Sequence, residues 1–240
     1  MKGETKEEET FLNREAEKVE GVVLKYIPFK ERDRIVSLLT PDRGLLSLYV
    51  KEVSKTNPFL INLTSPLCRG EFVFKKGRSD LCSFTDGAIL DLHIPIRSSF
   101  LSLHYSGKMI QGIVKTQASG KNAQRIYRLF LAYLKQLPQS MHPETLWASF
   151  ELKLLKDEGL LAIEPFCVVC QSEKAASITL GESRCRRCAH QGAALFSELE
   201  WSQITLLLEA RRFDLLPKTK LSSHLIEGVS SIFNTQLEVK

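Results

Sequence analysis

The tightest constraint on this chain is Cys167-Val168-Val169-Cys170, followed after fourteen residues by Cys185-Arg186-Arg187-Cys188. Two residues between cysteines let a turn aim both sulfurs at one point, and two such turns complete a tetrahedron of soft thiolates suited to Zn2+. The gap is slightly shorter than the roughly 15 to 20 residues usual for such a site. A short hairpin through Ile178-Thr179-Leu180-Gly181 would span it. Four protein ligands leave no position for water, so the expected cofactor is one structural zinc per chain. Arg184, Arg186 and Arg187 would offset the charge of a Zn(Cys)4 centre or touch phosphate, and the spacing does not separate the two roles. His190 reads as a bystander rather than a substitute ligand. Paired disulfides or a redox Cys-x-x-Cys are the competing readings. They fit less well in a reducing compartment and without a surrounding βαβ pattern. Cys68 and Cys82 lie in apolar, strand-like surroundings and read as core.

The opening Met1-Lys2-Gly3-Glu4-Thr5-Lys6-Glu7-Glu8-Glu9 is acidic where a secretion signal is basic and then apolar, and no apolar run reaches membrane-spanning length. The expected address is the cytoplasm, with no membrane contact. The formal charge of +5 is unevenly spread: residues 1–20 carry 4 basic and 7 acidic side chains, residues 21–80 carry 11 and 6. A positive field in the front half of the folded part raises the encounter rate with polyanions. By itself it does not separate nucleic-acid binding from plain solubility.

The predicted class is α+β. Residues 1–19 read as a flexible acidic extension, 20–95 as a five-stranded barrel, and 96–240 as a helical domain with the zinc module inserted at about 164–192. Short runs rich in Val, Ile, Leu, Tyr and Phe, bounded by turn residues, predict strands at Gly21–Ile27, Arg34–Thr40, Leu45–Val53, Glu71–Lys75 and Leu81–Leu90. After Pro95 the period becomes helical. In Asn122–Leu137 the residues Ile126, Leu129, Phe130, Tyr133, Leu134 and Leu137 gather on one face, with Lys121, Arg125, Arg128 and Lys135 opposite. Pro143 starts a further helix that turns Leu146, Trp147, Phe150, Leu154 and Leu155 inward before Gly159 ends it. Ser197 to Glu200 spells a capping box ahead of Trp201, Ile204, Leu207 and Leu208, and a last helix is expected over Lys220–Phe233.

One enzymatic reading competes. His142-Pro143-Glu144 followed by Cys167-x-x-Cys170 superficially matches a zinc deaminase signature of ligand, acid/base and cysteine pair. Pro165 stands one residue too early for that pattern, however, and Cys185 and Cys188 would have no role. The plainer reading of Glu144 is an acid favoured at a helix start. Nothing resembles a nucleotide loop, a Ser/His/Asp trio or a carboxylate metal cluster, so neither catalysis, a small-molecule substrate nor dependence on ATP is expected.

The stretch Gly21-Val22-Val23-Leu24-Lys25 to Glu31-Arg32-Asp33-Arg34-Ile35-Val36, then Thr40-Pro41-Asp42-Arg43-Gly44-Leu45-Leu46, resembles the start of the RecO family of bacterial recombination mediators. Phe150-Glu151-Leu152-Lys153-Leu154-Leu155-Lys156-Asp157-Glu158-Gly159 is similar to the helix that precedes the cysteines there. Cys167, Cys170, Cys185 and Cys188 fall where zinc-bearing members carry theirs. The resemblance spans roughly residues 20–190. It implies an N-terminal OB-fold, a helical domain, a zinc module, and binding of single- and double-stranded DNA. It also implies annealing of complementary strands and, with RecR, loading of RecA onto DNA coated by single-stranded DNA-binding protein, whose acidic, apolar C-terminal tail would be a further partner. A nucleoid-associated location in a bacterium follows from the same resemblance. One departure concerns the segment after the third strand, where Glu52 stands at a position that tends to be glycine in the family.

A barrel of this kind binds single strands through a basic groove and stacked rings. The candidate DNA contacts are Arg32, Arg34, Arg43, Lys51, Lys55, Arg69, Lys75, Lys76 and Arg78, with Lys121, Arg125, Arg128 and Lys135 extending the set. Tyr26, Phe29, Tyr49 or Phe74 would supply a ring, most of these aromatics being expected in the core. The alternative function is a zinc-ribbon adaptor for nucleic acid without annealing activity, with the deaminase as a more remote possibility.

Overall fold

The computed structural model describes residues 15–77, 80–171, 173–210 and 213–238. The chain forms two compact units: residues up to Ile94 with Gln117–Arg128, and Pro95–Thr116 with the residues from Leu129 onward.

In the first unit β1 (Glu17–Phe29), β2 (Asp33–Thr40), β3 (Gly44–Val50), β4 (Arg69–Lys75) and β5 (Leu81–Asp91) close into a barrel of order β1-β2-β3-β5-β4. The β3–β5 pairing is parallel and every other pairing antiparallel, giving an OB-like barrel. The first strand begins at Glu17, inside the segment expected to lie outside the barrel, because its first half pairs with β4 and its second half with β2. The two pairings meet at Val22, and an irregularity between Val23 and Lys25 follows within the part paired with β2.

The third strand stops at Val50 rather than Val53. Glu52 turns the chain there with φ of 55°, a left-handed conformation that suits glycine and strains a side chain. Strict alternation of buried and half-buried residues in β3 and β4 sends Leu46, Leu48, Val50, Phe72 and Phe74 into a core shared with Val19, Val23, Val36, Leu38, Cys68 and Cys82. A short helix not foreseen from sequence, α1 (Pro58–Leu63), plugs this core with Leu63. Gly70 and Gly87 make room for it: a Cβ on either would stand 3.0 Å from a Leu63 methyl and 2.7 Å from a backbone oxygen.

A four-residue helix, α2 (Ile94–Arg97), leads into α3 (Phe100–Thr116). Next come α4 (Gln124–Gln136), whose residues through Arg128 group with the barrel, and α5 (Pro143–Asp157). The second unit is completed by the hairpin β6 (Ser177–Thr179) and β7 (Glu182–Arg184), then α6 (Glu198–Glu209) and α7 (Ser223–Glu238). α7 runs several residues past the expected end at Phe233.

α5 is the centre of this unit. Beyond the residues expected to face inward, Thr145, Ala148, Ser149, Glu151 and Leu152 are buried too, because α3, α6 and α7 all pack on it. A helix enclosed on all sides loses the polar face that amphipathic reasoning assigns it. Its buried hydroxyls are paired: Ser149 donates to the Leu207 carbonyl at 2.6 Å, so the Tyr133 hydroxyl, 2.7 Å away, must donate to Ser149. The capping box at Ser197 and Glu200 is formed reciprocally, as the sequence predicts. No helix among the described residues is long and apolar enough to cross a membrane.

Candidate metal centre and nucleic-acid interface

The four cysteines converge in the second unit. Their sulfurs lie within 4.8 Å of one another, and Cys170 Sγ is 3.8 Å from Cys185 Sγ. A tetrahedral ion with zinc–sulfur bonds of about 2.3 Å would hold its sulfurs about 3.8 Å apart, so the cluster fits such a group. Each pair sits on a tight turn. The Gln171 amide donates to the Cys167 carbonyl at 2.9 Å, and the Cys188 and Ala189 amides donate to the Cys185 carbonyl at 3.1 and 2.9 Å. The β6–β7 hairpin carries the second pair back to the first, and the Val168 amide bonds the Ser183 carbonyl at 3.0 Å.

Crowding shows in the thiol acidities. Cys188 is pushed up to about 12 by its hydrogen bond with Cys185 and by desolvation, a state that a central cation would reverse. Of the surrounding arginines, Arg184 pairs with Glu182 at 2.8 Å and Arg187 with Glu173 at 2.5 Å, while Arg186 is exposed. His190 lies outside the cluster, its Nδ1 against the Gln191 carbonyl. His142 is also outside it and meets Glu144 at 3.2 Å at the start of α5. All four thiolate positions therefore belong to cysteines, and the deaminase arrangement of histidine, water and a cysteine pair is not formed.

The barrel offers a different kind of surface. On the outward face of β1–β2–β3 the register sets Ile27 beside Ile35 and Ile35 beside Tyr49, with Phe29 one step along. Ile27 and Phe29 are 53% and 43% exposed, which is unusual for side chains that could have faced the core. Phe29 and Tyr49 meet edge to face at 5.8 Å. Lys30 Nζ stands 5.7 Å from the Phe29 ring and Lys51 Nζ 6.0 Å from the Tyr49 ring, with Lys25 exposed on the same strand. Asp33 is an acid within this field. The Tyr49 hydroxyl and, at 3.1 Å, the Glu52 amide both donate to Asp33, holding its carboxyl below the usual range.

The barrel cations singled out from sequence divide into two groups. Arg32, Lys51 and Lys55 are exposed. Arg34 instead lies 4.0 Å above the Tyr26 ring and donates to Thr64 Oγ1 at 2.7 Å. Glu17 takes Arg43 and, at 3.0 Å, Lys76, and Glu20 takes Arg69 at 2.7 Å together with the Tyr127 hydroxyl at 2.6 Å. Lys75 is half-buried, and Arg78 lies outside the described residues. Lys121, which precedes α4, and Arg125, Arg128 and Lys135 on it are exposed. Of the four aromatics, Phe74 is fully buried while Tyr26, Phe29 and Tyr49 are not. Lys25, Lys30, Ile27 and Ile35 were not singled out from sequence. The signal for two of them is the alternation of Lys25 and Ile27 with Phe29, which continues the strand beyond the part that a core can bury.

Residues 15–93 match the family described as Recombination protein O N terminal, and residues 113–235 match Recombination protein O C terminal. The DNA repair protein RecO of Chlamydia pneumoniae is 28% identical over 225 residues, covering 92% of this chain and 89% of its own length. That of Moorella thermoacetica is 30% identical over 180 residues, 72% of this chain and 67% of its own. That of Caldicellulosiruptor saccharolyticus is 25% identical over 226 residues, 92% of each. With an OB-like barrel, a helical unit bearing four clustered thiols, and matches along both parts, this chain belongs to the RecO family of DNA repair proteins.

Proposed function

We propose that this chain is a zinc-containing mediator of recombinational repair. In this reading it binds single- and double-stranded DNA, anneals complementary strands, and acts with RecR to load RecA onto DNA coated by single-stranded DNA-binding protein in the bacterial cytoplasm. The carrying observation is the outward face of β1–β2–β3, where Ile27, Ile35, Phe29 and Tyr49 lie open to solvent or half-buried between Lys25, Lys30 and Lys51. Bases stack on exposed rings and the lysines meet phosphate, the two contributions by which barrels of this kind hold single strands. Arg32 and Lys55 join this interface. Arg34, Arg43, Arg69 and Lys76 are first of all structural partners, and phosphate would have to compete for them with Tyr26, Glu17 and Glu20. Lys75, Lys121, Arg125, Arg128 and Lys135 complete the proposed set.

Annealing needs no catalytic group: neutralising two backbones while leaving their bases accessible removes the repulsion between the strands. The chain is read accordingly as a binding protein rather than an enzyme. One structural Zn2+ held by Cys167, Cys170, Cys185 and Cys188 completes the module at about 164–192, inserted in a helical domain that follows the OB-fold domain.

The test is duplex formation from complementary oligonucleotides without ATP, with elemental analysis of the same sample. The expected result is one zinc per chain and annealing that falls steeply with salt. A protein inert on DNA at low salt sinks the reading, and equal or tighter binding of RNA without annealing favours the adaptor.

A further inference from the structure

The second unit carries a surface that the barrel does not explain. Between Asp91 and Glu144 the sequence has no acidic residue but seven lysines and arginines. α3 lies within this stretch. Its inner face is Ser102, Ser106, Met109, Ile113 and Thr116, all buried. The opposite ridge, Phe100, His104, Gly107, Gln111 and Lys115, falls within roughly 80° at about 100° per residue. Phe100 is 80% exposed and its ring stacks on His104, centroids 6.1 Å apart and planes 17° off parallel. His104 meets Tyr105 edge to face at 5.0 Å, and Tyr105 leads to Trp147 of α5 at 5.8 Å. Lys108 Nζ caps this series, 3.9 Å above the indole. Both rings therefore keep surface open to solvent.

We propose that the ridge of α3 is a second single-stranded DNA contact, with Phe100 and His104 as a stacking surface for bases and Lys108 and Lys115 as phosphate partners. The proposal rests on the DNA-binding reading above. Single-stranded DNA suits this ridge better than an acidic, apolar peptide for a geometric reason. Peptide anchors need a concave pocket, whereas bases stack on any open ring face. Phe100, at 80% exposed, lies in no such pocket, and the ridge is the side of α3 turned away from its buried face. Two acids lie nearby. Glu144 is engaged by His142, and Glu151 is buried in α5.

Gly107 supplies a variant that spares the fold, since a Cβ there meets nothing within 4 Å and glutamate favours a helix interior more than glycine does. In the full chain, Gly107→Glu should weaken binding of oligothymidylate while leaving the melting temperature equal or higher. Phe100→Ala with His104→Ala should lower affinity about 5- to 150-fold for each base unstacked, with an unchanged salt slope. Lys115→Gln should flatten that slope by about 0.7. A bromodeoxyuridine oligonucleotide should crosslink under ultraviolet light to the peptide bearing Phe100 and His104. If the α3 variants bind oligothymidylate as the parent does while Phe29→Ala loses affinity, the ridge proposal falls and the barrel reading stands. Loss of an acidic, apolar peptide without loss of DNA would overturn it in favour of a protein partner. A parent protein that binds no oligothymidylate at low salt overturns both.

Discussion

The barrel and the cysteine module solve the same problem, fixing a loop-rich segment, by opposite means. Among the described residues, eleven buried side chains from five strands and α1, with Cys68 beside them, interlock in the barrel, so its order is distributed. In the module the two strands are three residues each, and little more than Ala175 and Ile178 accompanies the buried cysteines. So small an apolar centre cannot offset the chain entropy of about thirty residues. Four sulfurs around one ion can, because ion binding and folding are then the same event. The difference teaches where each part is fragile: the barrel should fail gradually with lost packing, the module all at once with a lost ligand.

The sharpest way to break this contrast is Cys185→Ser. Metal binding of about 10–16 kcal/mol in comparable sites is at stake, so the variant should lose its zinc and the hydrogen-exchange protection of Cys167–Cys188, with barrel amides unaffected. Retained protection there would mean that the module stands without an ion. Phe72→Ala is the converse, a barrel truncation expected to cost about 3–5 kcal/mol in a denaturant melt while zinc content stays at parent level.

Glu151→Gln probes the helical unit, where burial has left a carboxyl inside a core. Its carboxyl is pushed up to about 8 by burial, against the pull of Lys108 and Lys115. A folded-state pKa above the unfolded one means that stability is fully present below the unfolded value of 4.5 and is lost as pH rises through about 8. The glutamine variant should therefore be more stable than the parent at pH 8, on the order of 4 kcal/mol, with the gap closing below pH 4.5. A gap independent of pH would show that the carboxyl is already charged in the folded protein.

The smallest effect sits at the proposed DNA face. Glu52→Gly relieves a left-handed side chain and deletes a negative charge beside Lys51, and should add about 1 kcal/mol of stability. It should also tighten DNA binding at low salt, an advantage that fades as salt is added. Melting curves and a salt titration of oligothymidylate affinity check the two parts separately.

Much of this was legible in residue order. The cysteine spacing pointed to a shared centre because two short turns leave few other places for four sulfurs. The strands and helices announced themselves through Pro, Gly and periodicity, and Arg125, Arg128 and Lys135 lie exposed where helical spacing put them. Less visible was which cations are already engaged. Glu17 looked like part of a charged extension and Glu20 stood at its edge, yet β1 begins at Glu17 and brings the two to Arg43, Lys76 and Arg69 across the barrel. Phe74 and Phe29 look alike as residues, and one is core while the other is open. The strain at Glu52 could be suspected from the glycine expected there, but its φ is a tertiary fact.

What the chain's order determined by itself is local: turn positions, helix caps, the two ligand pairs and the sign of the charge along each segment, all set by interactions between near neighbours. What tertiary structure decided is which faces meet. Enclosure of α5 on all sides, the plugging of the barrel by Leu63, and the exposure of Phe100 and Phe29 depend on partners far away in the chain. Packing is a property of surfaces brought together, and no single segment encodes the surface it will meet.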